Sequence, residues 1–126
     1  MTIISTDAFL THPDVIDCLN KLKKKFGYRA EKFVVLDVID SEGNQYVNLV
    51  QNGGGLLGLD FVGYTYILEQ MSIRFIRLAG TCSGTINTAL VTVIGGGDKN
   101  EKVTAKDDKK RAKSVDILKA VCDLFF

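Results

Sequence analysis

Apolar residues recur along this chain at two different periods, and the alternation between them divides it into helices and strands. Val15, Ile16, Leu19, Leu22 and Phe26 fall at helical spacing after Pro13. Proline suits the first turn of a helix, Thr11 or His12 stands where a cap is needed, and Gly27 is placed to end it. The run 33–39 is rich in β-branched residues and predicts a strand. Ser41-Glu42-Gly43-Asn44 is a turn signal leading into a second strand, Tyr46-Val47-Asn48-Leu49-Val50. The two strands predict a hairpin at the edge of a sheet. Residues 56–71 are apolar nearly all round and predict a buried helix. A buried strand is expected at 75–79 and a second buried helix at 83–94. Gly95-Gly96-Gly97 then opens a polar loop. Beyond the charged stretch 106–113, Val115, Ile117, Leu118, Val121 and Leu124 predict a last helix. Strands alternating with helices give an α/β class with parallel pairs. Cys18 and Cys122 fall on the first and last helices, each at core spacing.

Composition narrows this picture only a little. A chain of 126 residues is one domain or part of one, and 46% hydrophobic residues support a substantial core. Lys+Arg 16 against Asp+Glu 15 gives no bulk reason to expect nucleic acid or an anionic membrane as partner. Basic clusters at 21–25 and 109–113 read as solvated helix faces. Three cysteines without metal-ligand spacing predict neither a disulfide framework nor a metal site, and suggest a reducing compartment. No signal peptide is evident and no apolar run reaches the ~20 residues of a membrane span, so a cytoplasmic location is expected.

The chemistry is concentrated in Gly80-Thr81-Cys82-Ser83-Gly84. This is G-x-C-x-G, the spacing of a nucleophile elbow, with an apolar strand before it and a helix-compatible run after it. Small residues are needed there because the turn is strained and the backbone passes close to the substrate. The helix that follows points its dipole at the nucleophile. Upstream, Gly53-Gly54-Gly55-Leu56-Leu57-Gly58 joins a strand to a helix. Such a turn exposes N–H groups that can hold an oxyanion or a phosphate.

A glycine-rich loop, helix, strand and G-x-nucleophile-x-G in this order resembles the N-terminal half of the patatin-like phospholipases and acyl hydrolases, from about Tyr46 onward. The resemblance implies an α/β sandwich, with a mostly parallel sheet and flanking helices, and residues 1–126 as a single partial domain. Residues 1–45 would be an N-terminal helix and strand, and 46–126 the part carrying the motifs. It implies acyl-ester hydrolysis on lipid substrates. Cys82 would be the catalytic nucleophile, and the amides of Gly53, Gly54, Gly55 and Ser83 the oxyanion hole, with no cofactor and no metal. A membrane surface is a further partner, nucleic acid is not, and a second copy of the chain would cover an exposed sheet edge. The sequence departs from the family pattern at four points. Cys82 stands where serine is usual, Leu57 where Lys or Arg is usual and Asn52 where Asp is frequent, and the chain holds no Asp-Gly pair. The chain alone is therefore expected to turn over little ester.

Other readings stand beside this one. Cys82 is an active thiol, an inactive or introduced replacement of serine, or a small buried residue. Gly53 to Gly58 also reads as a tight turn whose glycines merely allow close helix packing, and it fits a dinucleotide fingerprint, but 73–80 lacks the acid that the fingerprint requires. His12, the sole histidine, reads as a capping or surface residue, and Asp60 as a solvated or capping one. The alternative function is a non-catalytic patatin-like scaffold for assembly or ligand binding.

Overall fold

A computed structural model describes residues 5–28, 39–53, 59–94 and 113–125. In chain order they form α1 (Thr6–Leu10), α2 (Pro13–Phe26), β1 (Gln45–Gln51), α3 (Leu59–Gln70), β2 (Ile73–Gly80), α4 (Ser83–Val93) and α5 (Ser114–Phe125). β1 and β2 pair in parallel, so the class is mixed α/β with a two-stranded parallel sheet and flanking helices among the described residues.

One face of the sheet is packed. Leu49, Ile73 and Phe75 join Val62 and Met71, Val91 of α4, and Ile117, Leu118, Val121 and Cys122 of α5 in a single core. The α5 residues recur one turn apart, as an amphipathic helix requires. Asn48, Val50, Ile76 and Arg77 lie on the exposed side. Phe9 of the short helix α1, which the sequence patterns did not indicate, packs edge-on against Tyr66 with ring centroids 5.8 Å apart. That helix is five residues long, too short to show a period, and Ser5 caps it by accepting from Ala8 N–H at 3.1 Å.

The parallel ladder contains a bulge. Val47 pairs with Phe75 and Asn48 with Arg77, leaving Ile76 without a partner in register. Ile73 and Phe75 are buried before it; Ile76 and Arg77 are both exposed; Leu78 and Gly80 turn partly inward after it. One extra residue has changed the phase of the strand.

The helix at 13–26 forms as expected, with His12 as its cap, accepting from Asp14 N–H at 3.3 Å. Cys18 was expected at core spacing and is instead exposed. Leu19 is the single buried residue of α2, which places Cys18 off the narrow packed stripe. Of the expected hairpin, Ile39 forms an antiparallel bridge with Gln45, and 33–38 lie outside the described residues.

The turn between Ile39 and Gln45 is organised by one carboxylate. Asp40 accepts from the N–H groups of Glu42 and Asn44, from Asn44 Nδ2 and from Tyr46 Oη, at 2.9–3.1 Å. Burial opposes ionisation of Asp40, but the bonds from Asn44, Tyr46 and Glu42 outweigh it and bring the carboxyl down to about 2. Burial, then the bond to Asp40, pushes the Tyr46 phenol up to about 12. An unfolded aspartate titrates near ~3.9. The stabilisation from Asp40 is therefore whole above about pH 4 and is lost as the pH falls toward about 2. Asp40→Asn should be less stable than the parent at about pH 6, and the two should converge near about pH 2 in urea titrations. A constant difference across that window would remove the carboxylate charge from this role.

Candidate active site: a thiol at a strand-to-helix turn

β2 ends at Gly80 and α4 begins at Ser83, so Cys82 occupies the turn between them. Its backbone has φ 51° and ψ −126°. A side chain rarely adopts a positive φ, and the conformation persists only where surrounding structure imposes it. Here the N–H groups of Gly84 and Thr85 return to the carbonyls of Thr81 and Cys82, both at 3.0 Å, and tighten the turn. Thr85 Oγ1 also donates to Gly80 O at 2.8 Å. The thiol is exposed at the start of α4. Cys82 is thus not the small buried residue allowed for above.

Two glycines let the backbones meet. A Cβ on Gly84 would overlap the carbonyl oxygen of Gln51, so α4 can rest directly on the end of β1. A Cβ on Gly53 would collide with the Cβ of Cys82 and sit 2.7 Å from Thr81 O and 3.1 Å from Ser83 N. Gly53 is therefore in contact with the thiol-bearing turn. Gly54 and Gly55 lie outside the described residues.

Thr81 ties the two loops together. Its N–H donates to Gln51 O at 3.0 Å, extending the parallel ladder. Its hydroxyl donates to Asn52 Oδ1 at 2.6 Å and accepts from Gly53 N–H at 3.2 Å. The N–H of Gly53 is consequently turned to Thr81, and its part at this site is to give clearance. The N–H of Ser83, first of the helix, has no acceptor within the helix, and its nitrogen lies close to Gly53. The Ser83 hydroxyl is buried, which keeps it from replacing the thiol as nucleophile.

A polar cluster lies under the turn. Asn87 Nδ2 donates to Gln51 Oε1 at 2.7 Å and to Thr65 Oγ1 at 3.0 Å, and all three residues are buried. It joins α4 to β1 and α3. The buried side of α4 is accordingly Ser83, Gly84, Asn87, Thr88 and Val91, while Ile86 and Val93 are 58% and 77% exposed. The expectation of a second buried helix at 83–94 holds for one side only, where small and polar residues lie inward and Gly84 allows the close approach to β1.

Beside Asn52, a groove of about 410 Å³ runs between β1 and α3, lined by Leu49, Val50, Gln51, Asp60, Phe61 and Tyr64. Asp60 is exposed in the first turn of α3. Among the described residues there is no group of three or more His, Cys, Asp or Glu side chains placed to hold a metal ion. No described helix is long and apolar enough to cross a membrane. No protein-family model, curated protein or solved structure matches the chain.

Proposed function

We propose that this chain is a patatin-like lipid acyl hydrolase domain in which Cys82 accepts the acyl group. The observation that carries the reading is the backbone of Cys82, φ 51° and ψ −126°, at the junction of β2 and α4 with Gly53 packed against it. A strand, a strained turn and a helix present a side chain outward and aim a helix N-terminus at it. The thiolate of Cys82 attacks the ester carbonyl carbon and a carbon–sulfur bond forms. The carbon–oxygen bond to the alcohol breaks, and the departing oxygen takes up the proton that the thiol released. Ser83 N–H supports the oxyanion of the tetrahedral intermediate, and the amides of Gly54 and Gly55, outside the described residues, are the further donors that the family resemblance implies. Hydrolysis of the resulting thioester needs a base to activate water, and Cys82 has no such partner among the described residues. General-base assistance is worth about 10²–10⁴ in rate, so acylation should outrun deacylation.

With a short-chain p-nitrophenyl ester, the chain should release about one equivalent of p-nitrophenol and then slow by about 10²–10⁴. Intact mass should rise by one acyl group, and peptide mapping should find it on Cys82 and not on Cys18, which is also exposed. Cys82→Ala should abolish the burst. Acylation shared evenly with Cys18, or none at all, would favour the second reading, a non-catalytic scaffold. That reading draws on the bond between Gly53 N–H and Thr81, which removes one donor from the pocket.

A further inference from the structure

The last part of α2 carries four lysines within five residues, Lys21, Lys23, Lys24 and Lys25. Lys21, Lys24 and Lys25 are exposed and Lys23 is half-buried. The acids of this helix, Asp14 and Asp17, both lie in its first half, where Asp17 pairs with Lys21 at 2.6 Å. Lysines in a last turn complement the helix dipole, which accounts for their charge. It does not account for the apolar groups beside them. Tyr28 is 76% exposed with the Lys23 ammonium 6.0 Å from its ring, and Ile16 on the same helix is 45% exposed. Lys25 lies 5.3 Å from the ring of Phe26, which packs against the core.

The kind of cation narrows the partner. The cations of α2 are all lysines, with Arg29 the next cation along the chain, and a lysine lacks the planar fork that grips a single phosphate or carboxylate in two places. Lysines act as point charges and suit a diffuse negative surface. A tyrosine exposed beside them suits the boundary between headgroups and acyl chains. We propose that the lysine end of α2, with Tyr28, binds the surface of a bilayer containing anionic phospholipids. The helix lies against the headgroups and Tyr28 enters the boundary. This inference goes beyond the acyl-acceptor reading and is tested separately from it by using Cys82→Ala protein, which cannot be acylated at that position.

The experiment is co-sedimentation with vesicles of phosphatidylcholine alone or with about one-third phosphatidylserine. Binding is expected only to the anionic vesicles, and it should weaken as salt is raised. Reversing Lys23, Lys24 and Lys25 to Glu should weaken it at least about a hundredfold, at roughly fivefold for each lysine charge lost. Tyr28→Ala should weaken it severalfold with the charges kept. Circular dichroism would show whether the triple variant folds, and the salt titration of the parent tests the same point without it. Absent binding, equal binding to neutral vesicles, indifference to salt, or tighter binding to poly(U) RNA than to vesicles would each overturn the proposal.

Discussion

Glu69→Ala should cost about 3 kcal/mol or more and lower the melting temperature by on the order of 10 °C. Glu69 sits near the end of α3 and is only 4% exposed. Its carboxylate accepts from Lys113 N–H at 2.9 Å, from Ser114 N–H at 2.8 Å and from the Ser114 hydroxyl. These groups open α5, where helical N–H groups have no partner of their own and the dipole favours a negative charge. Capping by a residue 45 positions away docks α5 on α3 and so positions Ile117, Leu118, Val121 and Cys122 in the core. Truncating Glu69 leaves several buried donors unmet, each at about 1–3 kcal/mol. Glu69→Gln should be milder, because one oxygen remains while the other becomes a donor facing donors. Ser114→Ala should be mildest, at about 1 kcal/mol. Urea unfolding of the three variants gives the order directly. Ser114→Ala as the most damaging change would show that the hydroxyl, not the carboxylate, holds this end of α5.

Gly84→Ala should also be severe, costing about 3 kcal/mol and suppressing acylation of Cys82. The added methyl has nowhere to go, because it would occupy the position of the Gln51 carbonyl oxygen. Backbone cannot yield as a flexible side chain can. Relief therefore requires α4 to move off β1, which would stretch the bonds from Asn87 to Gln51 and Thr65. The start of α4 would move with it, and Cys82 would lose the contacts that hold φ at 51°. Thr85→Ala is a useful comparison, since it removes the bond to Gly80 O but adds no bulk. A Gly84→Ala protein with parental stability and a parental acylation burst would mean that α4 approaches β1 less closely than the 2.7 Å and 3.0 Å from the added Cβ to Gln51 C and Cβ imply.

Much of the architecture was legible because it rests on local pattern. The period of 13–26, the turn residues after Ile39 and the apolar stretches at 56–71, 75–79 and 115–124 each mark one element, with ends a few residues from those observed. The turn at Cys82 was legible for a stronger reason: glycines at 80 and 84 leave few other uses for that spacing. What escaped was whatever depended on distant partners. Nothing near Glu69 in sequence signals that Ser114 will need a cap. The inward side of α4 could not be read from hydropathy, because close approach selects Ser83, Gly84, Asn87 and Thr88 over Ile86 and Val93. Cys18 was misplaced for a related reason. A helix that buries only Leu19 has too narrow a stripe for spacing alone to sort its neighbours.

Ile76, the residue that β1 does not match, lets β2 obey two masters in turn. Were it in step with the ladder, positions 77 and 79 would continue the inward course of Ile73 and Phe75. Arg77 would then meet the oily interior and the methyl of Ala79 would press on the start of α4. By falling out of step, Ile76 works like a frameshift: upstream Ile73 and Phe75 face the core, and downstream Leu78 returns to it while Gly80 meets the turn. Gly80 arrives where a Cβ would stand 2.5 Å from Gly84 O, a place only glycine fills. One strand of eight residues thus serves both the interior and the thiol-bearing corner.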